Sequence, residues 1–530
     1  MKKRLKWIIP LCIALAIAVG IGILALRYRA SGAVLHNSVG SGRDGTYLIQ
    51  IREKGARKLK LSDEKASEPV FSPSGRYFAV TLWEDHESSC VLYDTLAPRK
   101  PILHVPDYLS AFRPLDDGSL LYLRNDTIFL AKGEETTALA RNIARMDTLS
   151  GDGSAVYCFR QVVDDRLDLC LLSLDGTLTT LMEDMDKNAL QVVPGPDGQD
   201  IVICARRVSY ETPAYSLVND PLAVADVRST DEDAAFRNGL REQLRQQTIP
   251  ETLYTVWRIA GGKQALLVEG ALAYYCDPVT GMVIYKPGRA FADAVDISSL
   301  REASIPACKT WYCTANGTRT ALTELDGAEA ITVQFPGDGH VLLHANNATL
   351  YVRRWDGNAL SPADTVGGVS SFAPVLDEDG RLRIYYPMNG QLLCLSQGQK
   401  QVLCDGIYDF WVPGRRLPDG TVEMIDDMVY VRHYARDDSL RGGKKPPVTL
   451  SQMIHWPPSE LYLLQRGEKE LLVTMGDVYF LPDCALPDGS LVFLSAGTWR
   501  VTGPTRQEKL SVAADWYTLG TGSGKTVLLP

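Results

Sequence analysis

Basic and aromatic side chains gather between residues 411 and 456, and their types point most directly to chemistry: Trp411, Arg432, His433, Arg436, Arg441, Lys444, Lys445, His455 and Trp456. Guanidinium and ammonium groups hold carboxylates, sulfates and phosphates through charge-assisted hydrogen bonds, and a Trp ring adds a flat apolar platform. The stretch 435–458, ARDDSLRGGKKPPVTLSQMIHWPP, is too long and too rich in Gly and Pro for a turn between strands. It is expected to be an inserted loop able to dock an anionic polymer or a lipid headgroup. Arg415 and Arg416 would join it if they share its face.

Other motifs fail on spacing. GTGSGKT near the C-terminus lacks the Gly five positions before Gly524 that a phosphate-binding loop needs, because that position is Leu519. His340 and His344 have the spacing of a helical zinc pair, but in a strand four residues span about 13 Å, too far for one shared ion. Asp377, Glu378 and Asp379 read as turn chemistry, with no Glu at the distance a calcium loop requires. SAGTW from Ser495 lacks the aspartate of a sialidase repeat motif, and G-x-S-x-G does not occur around any serine. The expectation is therefore no catalytic residue, no metal and no cofactor.

Ten of the eleven cysteines lie beyond residue 30. Most sit in apolar strand-like runs, where cysteine acts as a small buried hydrophobe. Two pairs are candidates for disulfides. Cys158 and Cys170 flank a turn-like stretch at Asp164, and Cys394 and Cys404 flank Gly398 and Gln399, so each pair would face across a hairpin.

These side chains need a scaffold, and the chain supplies one with a tether. Lys2, Lys3, Arg4 and Lys6 precede an uncharged apolar run from Trp7 to Leu26, long enough as a helix to span a bilayer. The run exceeds a secretory signal core and ends in Arg27, Tyr28, Arg29, so an uncleaved anchor is expected, with residues 1–6 cytoplasmic and the remainder outside. Overall, 55 Lys and Arg stand against 64 Asp and Glu, for a net charge of −9. Six of the basic residues fall within residues 1–30, which makes the remainder more acidic still and disfavours nucleic acid as a partner.

After residues 27–45, expected as a linker, short apolar strands alternate with Gly- and Asp-containing turns to the C-terminus. Units such as FSPSGRYFAV from Phe71, FRPLDDGSLLYL from Phe112, LSGDGSAVYCF from Leu149 and LDEDGRLRIYY from Leu376 share one shape, a reversal followed by an apolar strand. Marker glycines 75, 118, 153 and 198 are spaced 43, 35 and 45 residues apart, and 339, 380 and 420 are spaced 41 and 40. That is the period of a four-stranded propeller blade. FSPSGRYFAV followed by CVLYDTLAP resembles the repeat of TolB-like and WD-repeat-like β-propellers, although no periodic Trp-Asp dipeptide occurs. The resemblance implies architecture more than activity.

The fold expected is all-β: a β-propeller over 46–530 with about eight four-stranded blades (seven to nine), plus one N-terminal transmembrane helix. The strand from Tyr47 to Ile51 is expected to close the ring against C-terminal strands. Two insertions interrupt it, at 205–252 and 435–458. The first should contain an amphipathic helix with Phe236, Leu240 and Leu244 on one face. Function follows as an expectation: a monomeric, membrane-anchored, extracytoplasmic binding or scaffolding module with a protein or envelope-polymer partner and no catalysis. The alternative is a propeller-class enzyme acting on a glycan or other envelope polymer with carboxylates on separate blades.

Overall fold

The computed structural model describes residues 31–528 apart from 43–44, 55, 68, 85–86, 108, 164–165, 196–198, 221–231, 316, 346–347, 358, 417–421, 425–426, 435–458, 466–467, 476–479, 486–490, 496–498, 502–506, 510–514 and 520–525, with side chains described as far as Lys469. Among these residues the protein is all-β, with one α-helix and short 3-10 turns. Most strands form successive antiparallel sets: I (31–62), II (65–106), III (111–140), IV (143–182), V (191–268), VI (271–322), VII (331–367), VIII (373–405, joined in parallel by 414–424), IX (407–411 and 428–475) and X (480–528), while 218–219 pairs in parallel with 295–296.

Among the described side chains, each of sets I to VIII packs face to face on the next. Neighbouring residues of a strand point to opposite faces, so a strand buried on both faces must be apolar at nearly every position. Leu120–Arg124 shows this: Leu120 and Tyr122 join the core shared with set II, whereas Leu121 and Leu123 join the core shared with set IV. The same division recurs along the chain. Phe78 and Val80 meet Val39 and Leu48 of set I, Ile284 and Trp311 of VI meet Val341 and Leu343 of VII, and Tyr385 and Leu392 of VIII meet Val429 and Val431 of IX. A separate apolar cluster thus fills every interval from I to IX.

The repeat turns seen in the sequence form one local structure. In set II the Gly75 amide donates to the Ser72 carbonyl, and Ser72 and Tyr77 close the reversal through Ser72 N to Tyr77 O. In set IV, Gly153 donates to Ser150, and Ser150 pairs with Ala155 in the same way. Gly75 and Gly153 have φ of 71° and 69°, a region that favours glycine. A carboxylate of the following set clasps each turn. Asp116 Oδ1 accepts from the Ser74 amide at 3.0 Å, and Asp200 Oδ1 accepts from the Gly151 amide at 3.0 Å.

Several expectations change. The described strands form nine sheets of three or more strands, ten sets once the seven-stranded sheet is divided into V and VI along its shared strand Lys263–Cys276, where the glycine rhythm suggested about eight; set I begins inside the stretch expected as a linker, with the strand Ser31–Gly42. Tyr47–Ile51 lies in the middle of set I, paired with Ser31–Gly42 on one side and Ala56–Ser62 on the other. Both its edges are occupied, so it has no free edge to offer C-terminal strands. Trp7 to Leu26 lies outside the described residues, and among the described residues no helix is long and apolar enough to cross a membrane.

The 205–252 insertion is an extended hairpin, Asp200–Pro213 against Thr248–Ala260, capped by the helix Glu232–Gln246, here α1. Leu240 and Leu244 bury against Ala214, Leu217, Ile297 and Leu300 in a small core of their own. Phe236, expected on the same face, is 50% exposed, because that core reaches only the C-terminal half of α1.

Candidate functional site at the foot of the 435–458 insertion

The insertion leaves set IX after the strand Met428–Tyr434 and returns at Ser459–Gln465, two strands paired directly with Tyr434 opposite Ser459. Its outer members Arg436, Arg441, Lys444, Lys445, His455 and Trp456 lie outside the described residues, whereas Trp411, Arg432 and His433 are described. The other partner strand, Ile407–Trp411, sets Asp409 opposite Arg432 and Trp411 opposite Tyr430. Trp411, Asp409, Tyr430 and Arg432 therefore occupy one face of the sheet, and His433 occupies the other. Arg415 and Arg416 stand on Gly414–Arg416, a strand that joins set VIII rather than IX, and so do not share this face through the sheet.

Arg432 is only 2% exposed. Asp409 keeps an open edge to solvent, yet burial of its carboxyl pushes its pKa above the usual range, an effect that the Phe410 amide and the Arg432 guanidinium only partly offset. On the opposite face, Lys469 Nζ lies 3.0 Å from His433 Nε2. An ammonium can only donate, so Nε2 accepts and the imidazole carries its hydrogen on Nδ1. The His433 ring meets Tyr462 edge-on at 4.9 Å, and Lys469 stands over the Tyr462 ring at 4.2 Å. The strand from which the insertion leaves thus carries buried Arg432 on one face and, on the other, His433 met by Lys469 from the third strand Glu468–Met475.

Asp409, Tyr462 and Lys469 were absent from the sequence expectation. Alternation alone places Asp409 on the face of Trp411, two residues away, and that signal was available in YDFW. Tyr462 and Lys469 needed the strand pairing across the insertion, which no local pattern carries.

The remaining candidates resolve individually. His344 Nε2 is 2.7 Å from the Val369 carbonyl in the strand His340–Ala345. Asp377 accepts from the Asp379 and Arg381 amides and binds Arg383 at 3.1 Å, while Asp427 binds the same guanidinium at 2.5 Å. The hollow of about 290 Å³ lined by Asp377, Glu378, Asp379 and Asp427 is therefore built around an arginine, with two of its carboxylates engaged by that group. Such an arrangement stabilises a turn and supplies no opposed acid and base.

The four cysteines of the two candidate pairs are free thiols in the structure. Cys158 stands directly opposite Cys170. Cys394 stands opposite Gln401 and Cys404 opposite Leu392, so that pair is diagonal. Diagonal neighbours are about 7–8 Å apart, too far for a bridge without backbone movement. The expected facing of Cys394 and Cys404 is thus corrected by the turn, which centres on Gln397 and Gly398 with φ of 50° and 73°.

No family model matches the chain, and no curated protein matches it. Among solved structures it is similar to a eukaryotic initiation factor, at 9% identity and a TM-score of 0.41 over 82% of this chain and 96% of that one. The Dos1 propeller matches at 10% identity and a TM-score of 0.30, over 71% of this chain and 92% of that one. The propeller domain of the Trilobed protease from Pyrococcus furiosus matches at 11% identity and a TM-score of 0.26, over 70% and 98%. At these scores the likenesses say nothing about what this chain does.

Proposed function

We propose that the stacked sheets close into a β-propeller, tethered to a membrane by Trp7–Leu26 and displayed outside the cytoplasm, that serves as a binding or scaffold module without catalysis. Its 435–458 insertion captures an anionic envelope polymer through Arg441, Lys444 and Lys445. The observation that supports this is the anchoring of the insertion: a long basic loop on an acidic protein joins two directly paired strands, the first of which holds a buried arginine and a histidine met by Lys469. Loops held on rigid scaffolds are where binding groups concentrate. Near an anionic surface each cation contributes about 1 kcal/mol, so reversing three should weaken capture by at least roughly 100-fold.

The test compares retention of the detergent-solubilised full chain and its Arg441→Glu/Lys444→Glu/Lys445→Glu variant on dextran sulfate beads as salt is raised. The parent is expected to elute at clearly higher salt. Equal elution of the two would remove the insertion from the function.

A further inference from the structure

We propose that Cys158 and Cys170 form a cross-strand disulfide when the chain folds in the presence of a small-molecule disulfide oxidant. This modification site is independent of anion capture. The strands Ala155–Val163 and Arg166–Ser173 pair without a register shift from Ala155 opposite Ser173 to Gln161 opposite Leu167, and Cys158 faces Cys170 in the middle of that run. Directly opposed residues of an antiparallel pair have Cα atoms about 4.5–5.5 Å apart, inside the range disulfides span. Both side chains enter the apolar core between sets III and IV, alongside Val156 and Leu172, so both sulfurs lie on one face. Buried Cys394 and half-buried Cys404 also pack in one cluster but are diagonal and lack this register.

Timing follows from burial. Both cysteines are 0% exposed, and burial pushes the Cys158 thiol up to about 12, so the packed protein offers neither access nor thiolate. Exchange belongs to the interval when the hairpin has paired but set III has not covered it. One cysteine thiolate attacks a sulfur of glutathione disulfide, forming a mixed disulfide and expelling one glutathione thiolate. The second cysteine thiolate then attacks the protein-bound sulfur, closing the Cys158–Cys170 bond and expelling the other glutathione. The protein loses two protons and two electrons, and one glutathione disulfide becomes two thiols. The bond fixes the register of set IV and restricts the unfolded chain.

The full chain is synthesised with either a glutathione/glutathione disulfide couple or dithiothreitol, and folded molecules are selected by resistance to protease. Remaining thiols are alkylated in guanidinium and the peptides mapped without reduction. The oxidised preparation should yield the Cys158 and Cys170 peptides joined and two hydrogens lighter than their sum, with Cys394 and Cys404 alkylated. Alkylation of both Cys158 and Cys170 in folded, oxidised chains would overturn the proposal, and a Cys394–Cys404 bridge would contradict the register argument. As a second measurement, dithiothreitol should lower the melting temperature of the oxidised parent and leave Cys158→Ala/Cys170→Ala unchanged. An equal response of the two would also overturn it.

Discussion

Gly270→Ala should destabilise the protein by about 2–5 kcal/mol, combining the cost of a left-handed backbone with that of overpacking. Gly270 has a φ of 73°, and a methyl group built on it would fall within the ring of Phe291. The position is structural for a definite reason. The strand Lys263–Cys276 pairs with Thr248–Ala260 as the edge of set V and then, from Ala271, with Val283–Pro287 in set VI. Sets V and VI are one seven-stranded sheet, and around Gly270 the shared strand passes from its pairing in V to its pairing in VI, with the register shifting on both sides. Phe291 closes over this point and stands edge-on to Tyr210 at 5.3 Å. In a urea titration the variant should unfold at clearly lower denaturant, and Phe291→Ala added to it, compared with Phe291→Ala alone, should return the clash component while leaving the backbone cost, because alanine removes the ring atoms that the new methyl group meets. An unchanged midpoint for Gly270→Ala would show that V and VI do not share a strand in this way.

Arg241→Leu should unlatch the α1 insertion at a cost of about 3–5 kcal/mol, the range for removing one partner of a buried ion pair. Arg241 grips Asp220 through Nε at 2.7 Å and Nη2 at 2.9 Å, and Tyr215 donates to the same carboxylate at 3.0 Å. The Asp220 side chain is 5% exposed, so losing its cation leaves a charge in a nearly dry site. The effect should be local, because the core of α1 is separate from the clusters between sheets. Hydrogen exchange should therefore accelerate in Glu232–Gln246 and barely change in sets I–IV. Asp220→Leu/Arg241→Leu should recover much of the loss, since it removes the stranded charge as well as the pair. Uniform acceleration across the protein would contradict a separate insertion core.

What the sequence shows and conceals follows from the range of each interaction. The reversal at Ser72 to Tyr77 is closed by hydrogen bonds within six residues, and its Gly75 is required by φ, so the repeat is readable directly from FSPSGRY. The buried side of α1 is readable too, through Leu240 and Leu244, while the exposure of Phe236 depends on Ile297 and Leu300 more than fifty residues away. The division between V and VI is hidden at Gly270 because LLVEGALAYY keeps strand character across the point where the pairing partner changes. Hairpin register is equally fragile. Cys158 and Cys170 stand opposite each other in the register of their strands, whereas a turn at Gln397 and Gly398 separates Cys394 from Cys404. The candidate site was half legible: alternation joins Trp411 to Arg432 only once the pairing of their strands is known, and His433, adjacent to Arg432 in sequence, is turned to the other face by that same alternation.

Closure of the stacked sheets into a ring is tested most directly by one distance, between spin labels at Arg57 in set I and Thr526 in set X. Sheets pack about 10 Å apart, so a closed ring should give a single distribution centred at roughly 10–25 Å, with set X beside set I. An open stack of ten sets would separate the labels by something on the order of 90 Å, and a distribution there would contradict the propeller.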